Sequence, residues 1–243
     1  MAMSGNGRFI VPAEPRGGFQ GLIMVDTSDG SSRDIEDGQY DPTLEDVSVT
    51  RTGQVVYQEG PRFWTYGPND APRRLLHWPL RTFTTDGNLD LSEDGRYLTF
   101  ETTRWLSPGD EPGADVYQAD LVTQRLRRVS HRVIRWRGPN PTRPGFNAFH
   151  GPVASPNGRF VSFVHKPDIA GENGQVQVFL WDRTTGRHRL VSRDLHGRVA
   201  NSDTVAGSVT NEGVVSFLSR AGNLVAPGAT TRSNGYHLFT WRP

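Results

Sequence analysis

The chain alternates short apolar runs with small polar turns, and one combination of the two recurs. Five times a polar turn ending in glycine leads into a β-prone apolar run. The stretches are Ser4-Gly5-Asn6-Gly7-Arg8-Phe9-Ile10-Val11, Thr50-Arg51-Thr52-Gly53-Gln54-Val55-Val56-Tyr57, Ser92-Glu93-Asp94-Gly95-Arg96-Tyr97-Leu98-Thr99-Phe100, Ser155-Pro156-Asn157-Gly158-Arg159-Phe160-Val161-Ser162-Phe163 and Thr210-Asn211-Glu212-Gly213-Val214-Val215-Ser216-Phe217. From Gly7 through Gly53, Gly95 and Gly158 to Gly213, the turn glycines step by 46, 42, 63 and 55 residues.

A repeat of roughly 40–50 residues holding several strands is the signature of a propeller blade. The fourth unit shows the pattern most completely. It predicts an inner strand at Phe149–Ser155, a turn at Asn157-Gly158, a second strand at Arg159–His165, a third at Gln175–Asp182, and an outer strand at Arg187–Ser192 after the Thr185-Gly186 hairpin. The third unit predicts Asn88–Leu91, Arg96–Glu101, Asp115–Asp120 and Leu126–Ser130. The second predicts Val47–Thr50, Gln54–Gln58, Arg62–Tyr66 and Arg73–His77. The first offers Arg8–Val11, Gly21–Asp26 and Ser32–Ile35 without an inner strand; the fifth offers Val205–Thr210, Val214–Ser219 and Tyr236–Trp241 without an outer one. The expected fold is therefore an all-β β-propeller of about five four-stranded antiparallel blades with incomplete terminal blades. It is one domain, with blades near 1–37, 38–78, 79–131, 132–195 and 196–243. Closing the ring calls for an unrecognised strand, residues upstream or a neighbouring chain.

The 27 glycines and 17 prolines suit many tight turns. With 27 Lys+Arg against 26 Asp+Glu, no global charge draws the chain to nucleic acid or to anionic membranes, and no nucleic-acid partner is expected. Lys166 is the single lysine. This arginine bias reflects either codon usage or the arginine fork's fit to carboxylates and phosphates. With no cysteine, disulfides, thiolate zinc sites and a cysteine nucleophile are excluded. No apolar run approaches the roughly 18 residues of a membrane span. The N-terminus lacks a signal-peptide pattern, which leaves a cytoplasmic protein or one whose leader has been removed.

Units three to five resemble the WD40-like repeat of TolB-type propellers. The resemblance rests on Ser155-Pro156-Asn157-Gly158-Arg159-Phe160, Val178-Phe179-Leu180-Trp181-Asp182, Thr185-Gly186 and Leu190-Val191-Ser192, with Ser92-Glu93-Asp94-Gly95-Arg96-Tyr97, Asp115-Val116-Tyr117, Asp120 and Arg128-Val129-Ser130 in unit three and Ser219-Arg220-Ala221-Gly222-Asn223-Leu224-Val225 in unit five. It covers residues 86–243 well and 1–85 weakly. It implies a propeller, and a secreted or envelope setting more often than a cytoplasmic one. Such repeats serve as interaction scaffolds, sugar-related modules and lids on hydrolases.

Asp26, Asp120 and Asp182 end the third strands, where a carboxylate caps the hairpin through an Asx-type bond. Aligning the units on their turn glycines places Asp46, Asn88, Gly151 and Ala206 in one inner-strand layer. Ser48, Asp90, Val153 and Ser208 form a second layer, and Glu45, Gly87, His150 and Val205 a third. His150, Asp90 and Asp46 are the catalytic candidates, since a general base needs a histidine with a carboxylate in reach; Asp203 is another acidic neighbour to consider. Asp86, Asn88 and Asp90 alternate on one strand face as a candidate cation site, with calcium the cation considered. They depart from an EF-hand loop, whose sixth and twelfth positions here are Leu91 and Tyr97. Residues 131–149 form the longest connection between units and hold Arg132, Arg135, Arg137 and Arg143 around Trp136 and Phe146. Arginine beside an aromatic suits anions or stacked sugars, so Arg135, Trp136, Arg137, Arg143 and Asn147 are the ligand-binding candidates. The alternative is a solvated loop with Trp136 packed on a blade edge. No HExxH, nucleophile elbow, P-loop or complete GxGxxG is present.

Two functions remain open. One is a non-catalytic binding module that takes a protein, glycan or anionic ligand at the channel mouth and loop 131–149. The other is an enzyme (hydrolase, lyase or cyclase) with a polar site around His150.

Overall fold

The computed structural model describes residues 1–16, 19–35, 44–59, 62–67, 73–74, 88–103, 106, 114–130, 149–165, 175–225 and 235–243. These form five antiparallel sheets in chain order. The first holds β1 (Ala2–Met3), β2 (Phe9–Val11), β3 (Ala13–Arg16), β4 (Phe19–Asp26) and β5 (Ser32–Asp34). The second holds β6 (Leu44–Val49), β7 (Val55–Glu59), β8 (Arg62–Tyr66) and β9 (Arg73–Arg74). The third is β10 (Leu89–Leu91), β11 (Tyr97–Thr102), β12 (Asp115–Asp120) and β13 (Arg125–Arg128). The fourth is β14 (Phe149–Ala154), β15 (Phe160–His165), β16 (Gln177–Asp182) and β17 (Arg187–Leu190), and the fifth is β18 (Thr204–Val209), β19 (Val215–Ser219) and β20 (His237–Trp241).

Each sheet runs as a meander from inner to outer strand, as the repeat predicts. The first sheet departs from expectation. It has an inner strand after all: β1 pairs with β2 through Ala2↔Val11 and Met3↔Ile10. Two residues carry too little pattern to be seen as a strand in sequence. A further hairpin, β3 on the Phe19–Leu22 half of β4, extends this sheet beyond the repeat.

The turn chemistry explains why the repeat looks as it does. In the third unit Ser92 Oγ donates to Asp94 Oδ1 (2.6 Å) and accepts from the Tyr97 amide (2.8 Å), while Asp94 Oδ1 accepts from the Arg96 amide (3.0 Å). Ser4 with Asn6, and Ser155 with Asn157, repeat these bonds. The side chains thus satisfy the turn's backbone donors, which is the reason for Ser-x-Asp/Asn. The next residue must take a left-handed φ, +72° at Gly95 and +65° at Gly158, which glycine adopts without a Cβ penalty.

Four apolar seams join the five sheets. Phe9, Val11, Leu22 and Met24 meet Val47, Val49, Val55 and Tyr57. Val56 and Phe63 meet Leu89, Leu98, Phe100 and Tyr117. Val116 and Val129 meet Val161, Phe163, Phe179 and Trp181. Phe160, Val178, Leu180 and Val191 meet Val209, Val215 and Phe217. At three seams the aromatic that opens a second strand lies against the next turn glycine: Phe9 on Gly53, Tyr97 on Gly158 and Phe160 on Gly213. Among the described residues no fifth seam joins the last sheet to the first, so the sheets are not closed into a ring. The outward face of the fifth sheet carries Val205, Leu218 and Leu238 in cross-strand register, all exposed.

Candidate functional site

A second repeating device links strands two and three. Arg8, Arg96 and Arg159 each follow a turn glycine and make a two-pronged contact with the aspartate that ends the third strand. The closest approaches are 2.9 Å to Asp26, 2.8 Å to Asp120 and 3.0 Å to Asp182. Each guanidinium also lies over the following aromatic, 5.0 Å from Phe9, 5.0 Å from Tyr97 and 4.6 Å from Phe160. The same aspartates accept from the amides of Ser28, Val122 and Thr184 in their hairpins. The Asx role expected of them is present, and the arginine partner is an addition that sequence reasoning missed. The signal was available, because a Gly-Arg pair recurs 18–24 residues before each of these aspartates. Arg96 holds Asp120 down to about 2, and Asp26 and Asp182 are likewise lowered. These carboxylates are therefore charged, paired and structural.

The inner strands carry a different set of acids. Asp46 on β6 accepts from the Leu89 amide of the third sheet (2.5 Å) and from its own neighbour Val47 (2.8 Å). Ser48 Oγ accepts from the Leu91 amide (3.1 Å). Asp90 on β10 accepts from the Ala154 amide of the fourth sheet (2.7 Å). Ser48 and Asp90 share one repeat layer, and so do their targets Leu91 and Ala154. Sequence reasoning missed Glu101, which is buried on β11; its Oε2 accepts from Asn88 Nδ2 (3.0 Å) and from the Gly151 amide of the fourth sheet (3.3 Å). In the next sheet Val153 occupies the layer of Ser48 and Asp90. Asp203, just before β18 of the fifth sheet, links these two sheets in the opposite sense, accepting from the Val176 amide that leads into β16 (2.9 Å).

Burial raises both inner-strand aspartates. Asp90 is pushed up to about 7, chiefly by desolvation with a further push from the charge of Asp46, and against the stabilising hydrogen bond from Ala154. Asp46 is raised by desolvation, against its bonds from Leu89 and Val47. Bulges interrupt three inner strands near this end, between Leu44 and Asp46, between His150 and Val153, and between Ala206 and Val209. A bulge re-aims the side chains beside it and is common next to sites.

The catalytic candidates Asp46 and Asp90 are thus close enough to interact, each occupied by an amide of the following sheet. The backbone of His150 pairs with Val164 in β14; its side chain, like all of Asp86, Arg135, Trp136, Arg137, Arg143 and Asn147, lies outside the described residues. Of the cation candidates, Asn88 is turned to Glu101 and Asp90 to Ala154. Among the described residues no cluster of three or more His, Cys, Asp or Glu is arranged to hold a metal. No described helix is long and apolar enough to cross a membrane.

No family model and no curated protein matches the chain. Its structural neighbours are propellers. TolB from Acinetobacter baumannii aligns over 90% of this chain and 50% of its own, at 16% identity and a TM-score of 0.51. The β-propeller domain of the Trilobed protease from Pyrococcus furiosus aligns over 99% of this chain and 65% of its own, at 11% identity and a TM-score of 0.57. A puromycin hydrolase aligns over 90% of this chain and 33% of its own, at 12% identity and a TM-score of 0.50. The chain therefore spans between a third and two thirds of the length of these neighbours. At such identities the likeness concerns architecture and not activity. The fold of this chain is a β-propeller, similar in architecture to that of TolB.

Proposed function

We propose that the chain is a non-catalytic binding module, taking a protein, glycan or anionic ligand at the inner-strand end and on loop 131–149. The observation that supports this reading is the occupation of the acids at the inner-strand end. Asp46 and Asp90 on inner strands and Glu101 on β11 each accept, through one oxygen, a backbone amide of the neighbouring sheet, and that oxygen is committed to holding the sheets together. The loop brings Arg135, Trp136, Arg137, Arg143 and Asn147, the residue types that stack on sugars and clamp oxyanions.

One observation favours the catalytic alternative. A carboxyl at about 7, beside another acid and a strand bulge, is poised for proton transfer near neutral pH. That reading keeps Asp90 Oδ2 on the Ala154 amide and requires the other carboxyl oxygen to reach a substrate.

The test is a thermal-shift screen of the chain against acidic and neutral oligosaccharides, small anions, calcium and EDTA. A native-state ligand at 100 times its Kd adds about 2.7 kcal/mol. The proposal predicts a rise in Tm with a glycan or anion that Trp136→Ala abolishes and Asp90→Asn leaves intact. A rise lost in Asp90→Asn and kept in Trp136→Ala would instead place the ligand on the inner strands. A calcium shift reversed by EDTA would assign a cation to Asp86, Asn88 and Asp90.

A further inference from the structure

Between the third and fourth sheets, at the turn end of the strands, lies a pocket of about 220 Å³ lined by four arginines and a single carboxylate. The carboxylate, Asp120, is already neutralised by Arg96 and held by the Val122 and Thr123 amides. Arg125, Arg127 and Arg183 have no carboxylate partner among the described residues. Two of the three are held in place. Arg183 lies over the Tyr97 ring at 4.0 Å and donates through Nε to the Gly158 carbonyl (3.3 Å). Arg127 donates to the Arg183 carbonyl (3.2 Å), which ties the two sheets across the pocket. Holding guanidinium groups in place before binding lowers the ordering cost that flexible cations incur.

Gln118 adds a second, independent observation. It lines the pocket and is buried, and its Nε2 donates to Thr99 Oγ1 (3.2 Å) and the Gly158 carbonyl (3.0 Å). Its Oε1 is buried with no hydrogen-bond partner. Such an orphan acceptor is costly unless something donates to it. The corresponding hairpin pocket of the first sheet differs in charge, being lined by Asp26 and Asp29 with Arg33. The first sheet's hairpin therefore does not share this basic character.

We infer that the Arg125, Arg127 and Arg183 pocket binds a small hydroxylated oxyanion, a sugar phosphate or sugar acid, with the guanidinium groups on its acid group and a small outward shift of the Gln118 carboxamide bringing Oε1 to a hydroxyl. Arginine forks suit both phosphate and carboxylate. The inference goes beyond the proposed function and uses none of residues 131–149.

The experiment is calorimetric titration of the whole chain with glucose 6-phosphate, glucuronate, glucose and inorganic phosphate. At least one of the two acidic sugars should bind, its affinity should fall as salt is raised, and it should exceed that of glucose and of inorganic phosphate by tenfold or more. The double substitution Arg125→Ala with Arg127→Ala should weaken it at least tenfold while unfolding stays cooperative and Tm falls only by the small amount that loss of the exposed Arg127 bond to the Arg183 carbonyl entails, and Trp136→Ala should leave the affinity unchanged. Equal binding of inorganic phosphate would remove the hydroxyl contact from the account. Acidic sugars binding no better than glucose, or an affinity unaltered by the double substitution, would overturn the site.

Discussion

Replacing Gly158 by alanine is expected to lower the melting temperature by about 5–15 °C, while Gly186→Ala lowers it by only a few degrees. Both glycines have a left-handed φ, +65° and +64°, so both substitutions carry the same backbone strain of about 1–2 kcal/mol. Their surroundings differ. A Cβ on Gly158 would come within 2.5 Å of the Tyr97 ring and 2.7 Å of Tyr97 Cβ, whereas a Cβ on Gly186 meets nothing within 4 Å. Tyr97 has no room to retreat, because Arg183 covers its ring and the residue is buried in the third sheet. Overpacking adds about 1–3 kcal/mol, giving roughly 2–5 kcal/mol for Gly158. At about 2–4 °C per kcal/mol for a chain of this size, the two variants separate clearly in a differential scanning experiment. Equal losses for both would mean that the glycine serves the turn alone and that the seam does not depend on it.

The second large effect is a gain. Asp90→Asn is expected to stabilise the protein at pH 8 by at most about 4 kcal/mol, the equivalent of a shift of roughly three pKa units. The side chain is half-buried, and water that reaches it reduces the gain. The sign follows from proton linkage. The folded state raises the Asp90 carboxyl from its ordinary 3.8 to about 7, so between those values the native protein binds more protons than the unfolded chain. Stability therefore falls as pH rises from about 4 to about 7, and the loss persists above that range. Asparagine has no charge to bury and keeps an oxygen for the Ala154 amide. Below pH 4 the opposite trend takes over. Asp26, Asp120 and Asp182 are lowered by their arginines, so their contributions are lost as pH falls through the acid range. Urea denaturation across pH 4–8 should show the wild-type midpoint falling and the Asp90→Asn midpoint falling less, the remaining slope coming from the raised carboxyl of Asp46. Parallel curves would mean that Asp90 is ionised without penalty in the native state.

Much of this architecture is legible in the sequence because the turn is chemically demanding. A left-handed residue preceded by a side-chain acceptor two positions behind Arg forces Ser-x-Asp/Asn-Gly-Arg in the first, third and fourth units, while in the second and fifth Thr50 and Thr210 take the serine's place before Gly53 and Gly213 and no arginine follows. β8 and β12 fall at the predicted residues, and most other strands within one or two of them. β1 escaped notice because two residues have no periodicity. The Arg–Asp links and the inner-strand links were harder to see, since each joins residues tens of positions apart. Yet Asp46 reaches Leu89 and Ser48 reaches Leu91 at a spacing of 43, and Asp90 reaches Ala154 at 64, each one more than the local repeat step of 42 or 63. An acceptor that recurs one residue out of phase with the repeat is the mark of a bond to the next blade. Gln118 could not have been identified as a pocket residue, because its exposure to the cavity depends on Arg183 arriving from another sheet.

The central claim is that the inner-strand carboxylates hold neighbouring sheets together. Site-resolved amide hydrogen exchange at Ala154, compared between wild type, Asp90→Asn and Asp90→Ala, tests it most directly. The account predicts a protected Ala154 amide in wild type and in Asp90→Asn, and exchange at least tenfold faster in Asp90→Ala while the Leu89 amide, held by Asp46, keeps its protection. An Ala154 amide that exchanges at the same rate in all three proteins would contradict it and leave Asp90 free for chemistry.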